Sequence, residues 1–81
     1  MPENRGLERD ENMTIEWVDG FKIKTAAENG AIVISANREG MLSLAAQLTE
    51  LADGIAGDHI HYDENNSLEP GAMELIIERI Q

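Results

Sequence analysis

Residues 28–45, Glu28-Asn29-Gly30-Ala31-Ile32-Val33-Ile34-Ser35-Ala36-Asn37-Arg38-Glu39-Gly40-Met41-Leu42-Ser43-Leu44-Ala45, contain the switch that decides the fold. Asn29-Gly30 is a hairpin signal, because both residues tolerate positive φ and so fit a type I′ turn. The run that follows, Ala31 to Ser35, is continuously apolar up to its last residue and predicts an interior strand. Past Asn37 the apolar period lengthens. Met41, Leu44, Ala45, Leu48, Leu51 and Ala52 recur at helical spacing and form one stripe on a helix of about four turns. Asn37 is placed to cap the first amides, Glu39 favours the positive end of the helix dipole, and Gly54 suits a left-handed residue after the last turn. Gly40, in the first turn, is a weak point by helix propensity.

Upstream, Ile15, Trp17, Phe21, Ile23 and Thr25 alternate with Glu16, Lys22 and Lys24, the pattern of strands with one wet face. Asp19-Gly20 interrupts this run either as a tight turn or as a bulge. Trp17 beside Phe21 reads as core, and on an uncovered sheet face it would instead be an interface anchor. Downstream, Asp58-His59-Ile60-His61-Tyr62-Asp63 alternates again. A polar loop from Glu64 to Gly71 follows, broken by Pro70-Gly71, and Met73 to Ile80 closes the chain as a strand. The order ββαββ predicts an α+β fold: an antiparallel four-stranded sheet with one helix packed on one face. The second face is left to solvent, to another copy in a homodimer, or to a partner. Residues 1–12 are polar and predict a flexible tail, with residues 13–81 forming a single α+β domain.

The 81 residues carry a formal net charge of −10 and no cysteine, which excludes disulfides, thiolate zinc sites and cysteine nucleophiles. No apolar run approaches the length of a membrane span, and the N-terminus lacks the apolar core of a secretory leader, so a soluble cytoplasmic protein with no membrane partner is expected. Between Arg38 and Arg79 there is no lysine or arginine, while Glu39, Glu50, Asp53, Asp58, Asp63, Glu64, Glu69, Glu74 and Glu78 place nine carboxylates there. A field of one sign steers basic partners and repels nucleic acid, although a surface kept acidic for solubility has the same composition.

Ser35, Ser43 and Ser67 sit in no nucleophile elbow, and no glycine loop of phosphate-cradling type occurs, so neither an enzyme nor a cofactor is expected. The sharpest local pattern is His59-x-His61-x-Asp63, three groups on one face of a strand. Read as ligands they define the alternative, a small metal-binding protein or metal-dependent enzyme. Against it, strand neighbours two apart lie about 6.5–7 Å from each other, and no further His or Cys completes a set. Two histidines on the exposed sheet face, with Ile60 and Tyr62 turned to the helix, account for the same spacing.

The stretch Ile34 to Ala45 with its Asn37-Arg38-Glu39-Gly40 helix start, the Gly57-Asp58-His59-Ile60-His61 strand, Ser67-Leu68-Glu69-Pro70-Gly71 and the closing Glu74-Leu75-Ile76-Ile77 resemble the immunity protein 32 family over roughly residues 21–80. That family belongs to bacterial polymorphic toxin systems. The resemblance implies a small α+β protein that binds and neutralises a cognate protein toxin encoded beside it, inside the producing cell. The acidic field then suits a toxin with a basic active site, such as a nuclease. The residues expected to meet it, from the reading of the residues themselves, are Asp58, Asp63, Glu64 and Glu69, with His59, His61 and Tyr62 in support, Tyr62 only if it is turned away from the core.

Overall fold

The computed structural model describes residues 16–81; the tail expected over residues 1–12 lies outside them. The elements run β1 (Ile23–Glu28), β2 (Ala31–Ala36), α1 (Arg38–Ala52), β3 (His59–Tyr62) and β4 (Leu75–Glu78). The ββαββ order is that of the sequence reading. The single sheet is not: β1 pairs only with β2 and β3 only with β4, giving two antiparallel hairpins.

The reason for the split lies in the segment before β4. It runs alongside β1, with the Glu69 amide donating to the Ile23 carbonyl at 2.9 Å and the Met73 amide to the Thr25 carbonyl at 3.1 Å. The Thr25 hydroxyl also donates to the Met73 carbonyl. Four residues of this segment thus advance against two of β1, and between them lie Pro70, which has no amide proton, and Gly71 at φ +86°. A ladder cannot continue through that pair, so the hairpins are tacked together rather than merged.

The first hairpin follows its turn chemistry. Asn29 and Gly30 adopt φ 50° and 81°, and Glu28 pairs with Ala31 around them. Asp19-Gly20 forms a turn, closed by the Phe21 amide on the Val18 carbonyl at 3.1 Å, and β1 begins only at Ile23. β2 is an edge strand and not an interior one. Ile23, Thr25 and Ala27 share a face with Ala36, Ile34 and Ile32. Ile23 is buried against the helix and Thr25 beside Met73, and Ile32 is left 73% exposed at the far end.

Asn37 caps α1 as expected and does more. Its Oδ1 accepts from the amides of Gly40 at 2.8 Å and Lys22 at 2.9 Å, and its Nδ2 donates to the Gly20 carbonyl at 3.0 Å, so one side chain ties the helix start to the entry of β1. Gly40 is no loosening. A Cβ there would stand 2.6 Å from the Lys22 carbonyl oxygen and 2.9 Å from Ile23 Cγ1, so its bare backbone is what lets the helix approach the hairpin. Gly54 is not the left-handed closing residue: the positive-φ glycines are Gly20, Gly30, Gly57 and Gly71. Its constraint is space, because a Cβ would sit 2.2 Å from Asp58 Oδ2.

The face that α1 buries is rotated from its most apolar stripe. Gly40, Ser43, Leu44, Gln47 and Leu51 are buried, whereas Met41 and Leu48 are about half exposed, at 51% and 46%. Two polar residues draw the helix round because each meets a backbone need of residues 16–18. Ser43 Oγ accepts from the Val18 amide at 2.8 Å and donates to the Glu39 carbonyl at 2.9 Å. Gln47 Nε2 donates to the Glu16 carbonyl, and its Oε1 accepts from the Tyr62 hydroxyl, both at 2.8 Å. Buried polar groups with every bond made fix a helix's rotation more tightly than aliphatic contacts do. The core is Ile23, Leu44, Leu51, Ile60, Tyr62 and Leu68. Trp17, half buried, packs against it, stacked on Phe21 at 4.3 Å and edge-on to Tyr62 at 6.2 Å.

Candidate protein-binding face on the second hairpin

Alternation sorts the second hairpin into two chemistries. Ile60 pairs with Ile77 and Tyr62 with Leu75 on the inner face, and Ile60 and Tyr62 are fully buried. His59 pairs with Glu78 and His61 with Ile76 on the outer face. Beyond the last pair, the register sets Asp63 opposite Glu74 on that same outer face. The face thus carries His59, His61, Asp63, Glu74 and Glu78 around Ile76, which is 57% exposed.

The candidate residues separate accordingly. Tyr62 is turned to the core, and burial pushes its phenol well above the ordinary value. Asp58 is 8% exposed, and its Oδ2 accepts from the Ile55 amide at 2.9 Å, so it closes the loop between α1 and β3. The same loop consumes the cation of this half of the chain: Arg79 donates to the Gly54 carbonyl at 2.7 Å, while its backbone pairs with Gly57 and Asp58. Glu69 is half buried beside β1. His59, His61 and Asp63 are half exposed and Glu64 is exposed, so these four remain on one side.

Asp63 organises the loop that follows. Its Oδ1 accepts from the amides of Asn65 at 2.9 Å and Asn66 at 3.1 Å, and its carbonyl accepts from Ser67 at 3.0 Å and Leu68 at 2.9 Å. Asn66 makes two bonds in return, its Oδ1 accepting from the Asp63 amide and its Nδ2 donating to the His61 carbonyl, each at 3.1 Å. A loop bonded in this way holds its side chains in place. His61 Nε2 is in direct contact with the Glu74 carboxylate. Glu74, Ile76 and Glu78 were not among the candidates from sequence. Pairing Met73–Ile80 against His59–Asp63 in every register and asking which puts Ile77 over Ile60 would have found them.

An open groove of about 450 Å³ lies elsewhere, between Leu48, Leu51 and Ala52 of α1 and Ile77, Glu78 and Arg79. Its charged side chains are Glu78 and Arg79, and the rest of its lining is aliphatic. No described helix is long and apolar enough to cross a membrane.

The described residues form an α+β scaffold whose second hairpin shows an acidic, partly apolar outer face. The family model for Immunity protein 32 matches residues 31–80, from the first residue of β2 to past the end of β4, and the chain belongs to that family. No curated protein and no solved structure gives a match.

Proposed function

We propose that this chain neutralises a cognate toxin by docking it on the outer face of the β3–β4 hairpin and the loop after Asp63, acting inside the cell that makes both. The observation that carries the reading is Ile76, a half-exposed aliphatic residue framed by His61, His59, Glu74 and Glu78 within the segment matched to the family. An apolar centre with a charged rim is the usual anatomy of a protein interface. Seven carboxylates against one arginine over residues 53–81 favour a toxin whose site is basic, and a nuclease fits that description. The charges act at a distance and accelerate encounter, and Ile76 holds the complex once formed.

The test is binding of the protein encoded by the adjacent reading frame. Ile76→Ala weakens capture by about tenfold or more through faster dissociation, the loss expected for a central anchor. Replacing Glu64 and Glu78 by lysine slows association and flattens its dependence on salt. Wild-type affinity in Ile76→Ala would place the contact elsewhere, and an unchanged association rate in the charge variant would end the steering argument. Light scattering of the free protein distinguishes this use of Ile76 from self-association across the same face.

A further inference from the structure

We propose that His61, Asp63 and Glu74 form a binding site for a zinc-like divalent cation on the outer face of the second hairpin. The site lies on the same face as the proposed toxin contact, and its chemistry does not rest on that reading. One ligand atom from each of the three residues lies within 4.8 Å of the others. The cluster is a consequence of register. His61 and Asp63 are two apart on one strand and so share a face, and Glu74 stands across from Asp63 and diagonal to His61. The pattern His59-x-His61-x-Asp63 therefore resolves into a different set. His59 leaves it, held near its own loop with Nδ1 3.3 Å from the Gly57 carbonyl, and Glu74 enters from the other strand.

Three further observations favour a cation. First, the donors are mixed: one imidazole nitrogen and two carboxylates suit zinc and its first-row neighbours better than calcium or magnesium, which prefer oxygen alone. Second, Asp63 is pre-oriented. The amides of Asn65 and Asn66 both donate to its Oδ1, so the carboxylate is held by its own loop, as supported metal ligands are. Third, two carboxylates directly opposite each other on a hairpin repel. Among the described residues, His61 is the basic side chain in direct contact with Glu74, and Arg79 donates to the Gly54 carbonyl instead. A divalent ion would neutralise both carboxylates while the imidazole donates as a neutral ligand. With three protein ligands, coordination positions remain open toward solvent.

The experiment is a calorimetric titration of the full chain with zinc chloride in a non-chelating buffer. The variants are His61→Ala, Asp63→Asn, Glu74→Gln and His59→Ala, each checked for fold by circular dichroism. Asp63→Asn retains the Oδ1 acceptor of the loop and replaces Oδ2 with an NH2 group, removing the charge and one ligand oxygen. The expected result is one zinc per chain, weakened by roughly tenfold or more in the first three variants and changed by less than about twofold in His59→Ala. Absence of saturable heat up to about 1 mM zinc would overturn the proposal, since binding that weak is worth only about 4 kcal/mol. So would equal weakening by His59→Ala, which would mean diffuse attraction to an acidic face. Should Asp63→Asn lose its fold, His61→Ala and Glu74→Gln decide the matter alone.

Discussion

The two hairpins contrast at almost every level. β1–β2 closes on two residues, Asn29 and Gly30, receives the helix on its inner face, and leaves aliphatic Ile32 exposed near its tip. β3–β4 closes over residues 63–74, buries its inner face under the helix, and shows titratable groups outside. The first is fixed by backbone constraints: a left-handed turn, the Asn37 cap, and the bare Gly40 against Lys22. The second is fixed by side chains: Tyr62 on Gln47, Asp58 on Ile55, Asp63 on its own loop. The lesson is that core and candidate face are separated by strand alternation inside the second hairpin, where adjacent residues point to opposite sides.

That separation is broken most directly at Ile60 and its neighbour. Ile60→Ala should cost about 2–5 kcal/mol in denaturant unfolding, the range for a fully buried aliphatic residue, and His61→Ala should change stability by only about 0.5 kcal/mol. Equal costs would mean that the outer face is part of the core. For the first hairpin, Gly40→Ala should destabilise by about 1–3 kcal/mol although alanine is the better helix former, because the new methyl meets a backbone oxygen at 2.6 Å. A gain in stability would show that the helix stands farther from β1. Asn37→Ala, losing a cap and two further bonds, should cost about 1–2 kcal/mol by thermal melting.

The smallest effect is read by pH. Burial raises the phenol of Tyr62 above its ordinary 10.0, so the folded chain retains a proton that the unfolded chain releases. Its contribution to stability is complete below pH 10 and declines as pH rises beyond it. Since Tyr62 is the one tyrosine in the chain, tyrosinate absorbance should appear only together with alkaline unfolding. Tyr62→Phe should lose about 1 kcal/mol near neutrality, stranding Gln47 Oε1, and lose the alkaline slope attributable to this residue. Tyrosinate that forms while the fold persists would mean that the ring is accessible.

What could be read from the sequence was local. The Asn29-Gly30 turn, the Asn37 cap and the alternation of residues 59–63 depend on neighbours within a few positions, and each appears in the structure. What could not be read depends on residues far apart. The split sheet follows from where Pro70-Gly71 meets β1, the rotation of α1 from the needs of the Glu16 and Val18 backbone, and the enclosure of Asp58 from its distance to Ile55 and Gly54. Half of the candidate face was legible for the same reason. Its His61 and Asp63 lie on the strand that alternates, and its Glu74, Ile76 and Glu78 lie across a register that periodicity does not specify.

The difference in closure length also orders events in time. Joining strands across residues 63–74 costs about 1–2 kcal/mol more chain entropy than joining them across Asn29-Gly30. The first hairpin and the start of α1 should therefore be structured in the folding transition state, with φ-values near 0.5–0.8 at Ala36 and Leu44, and β3–β4 should follow with values near 0–0.3 at Ile60 and Ile77. Inverted values would reverse the sequence of events. If the order holds, a chain caught midway has the first hairpin and the helix start, and the outer face of the second hairpin is complete only with the last folding step.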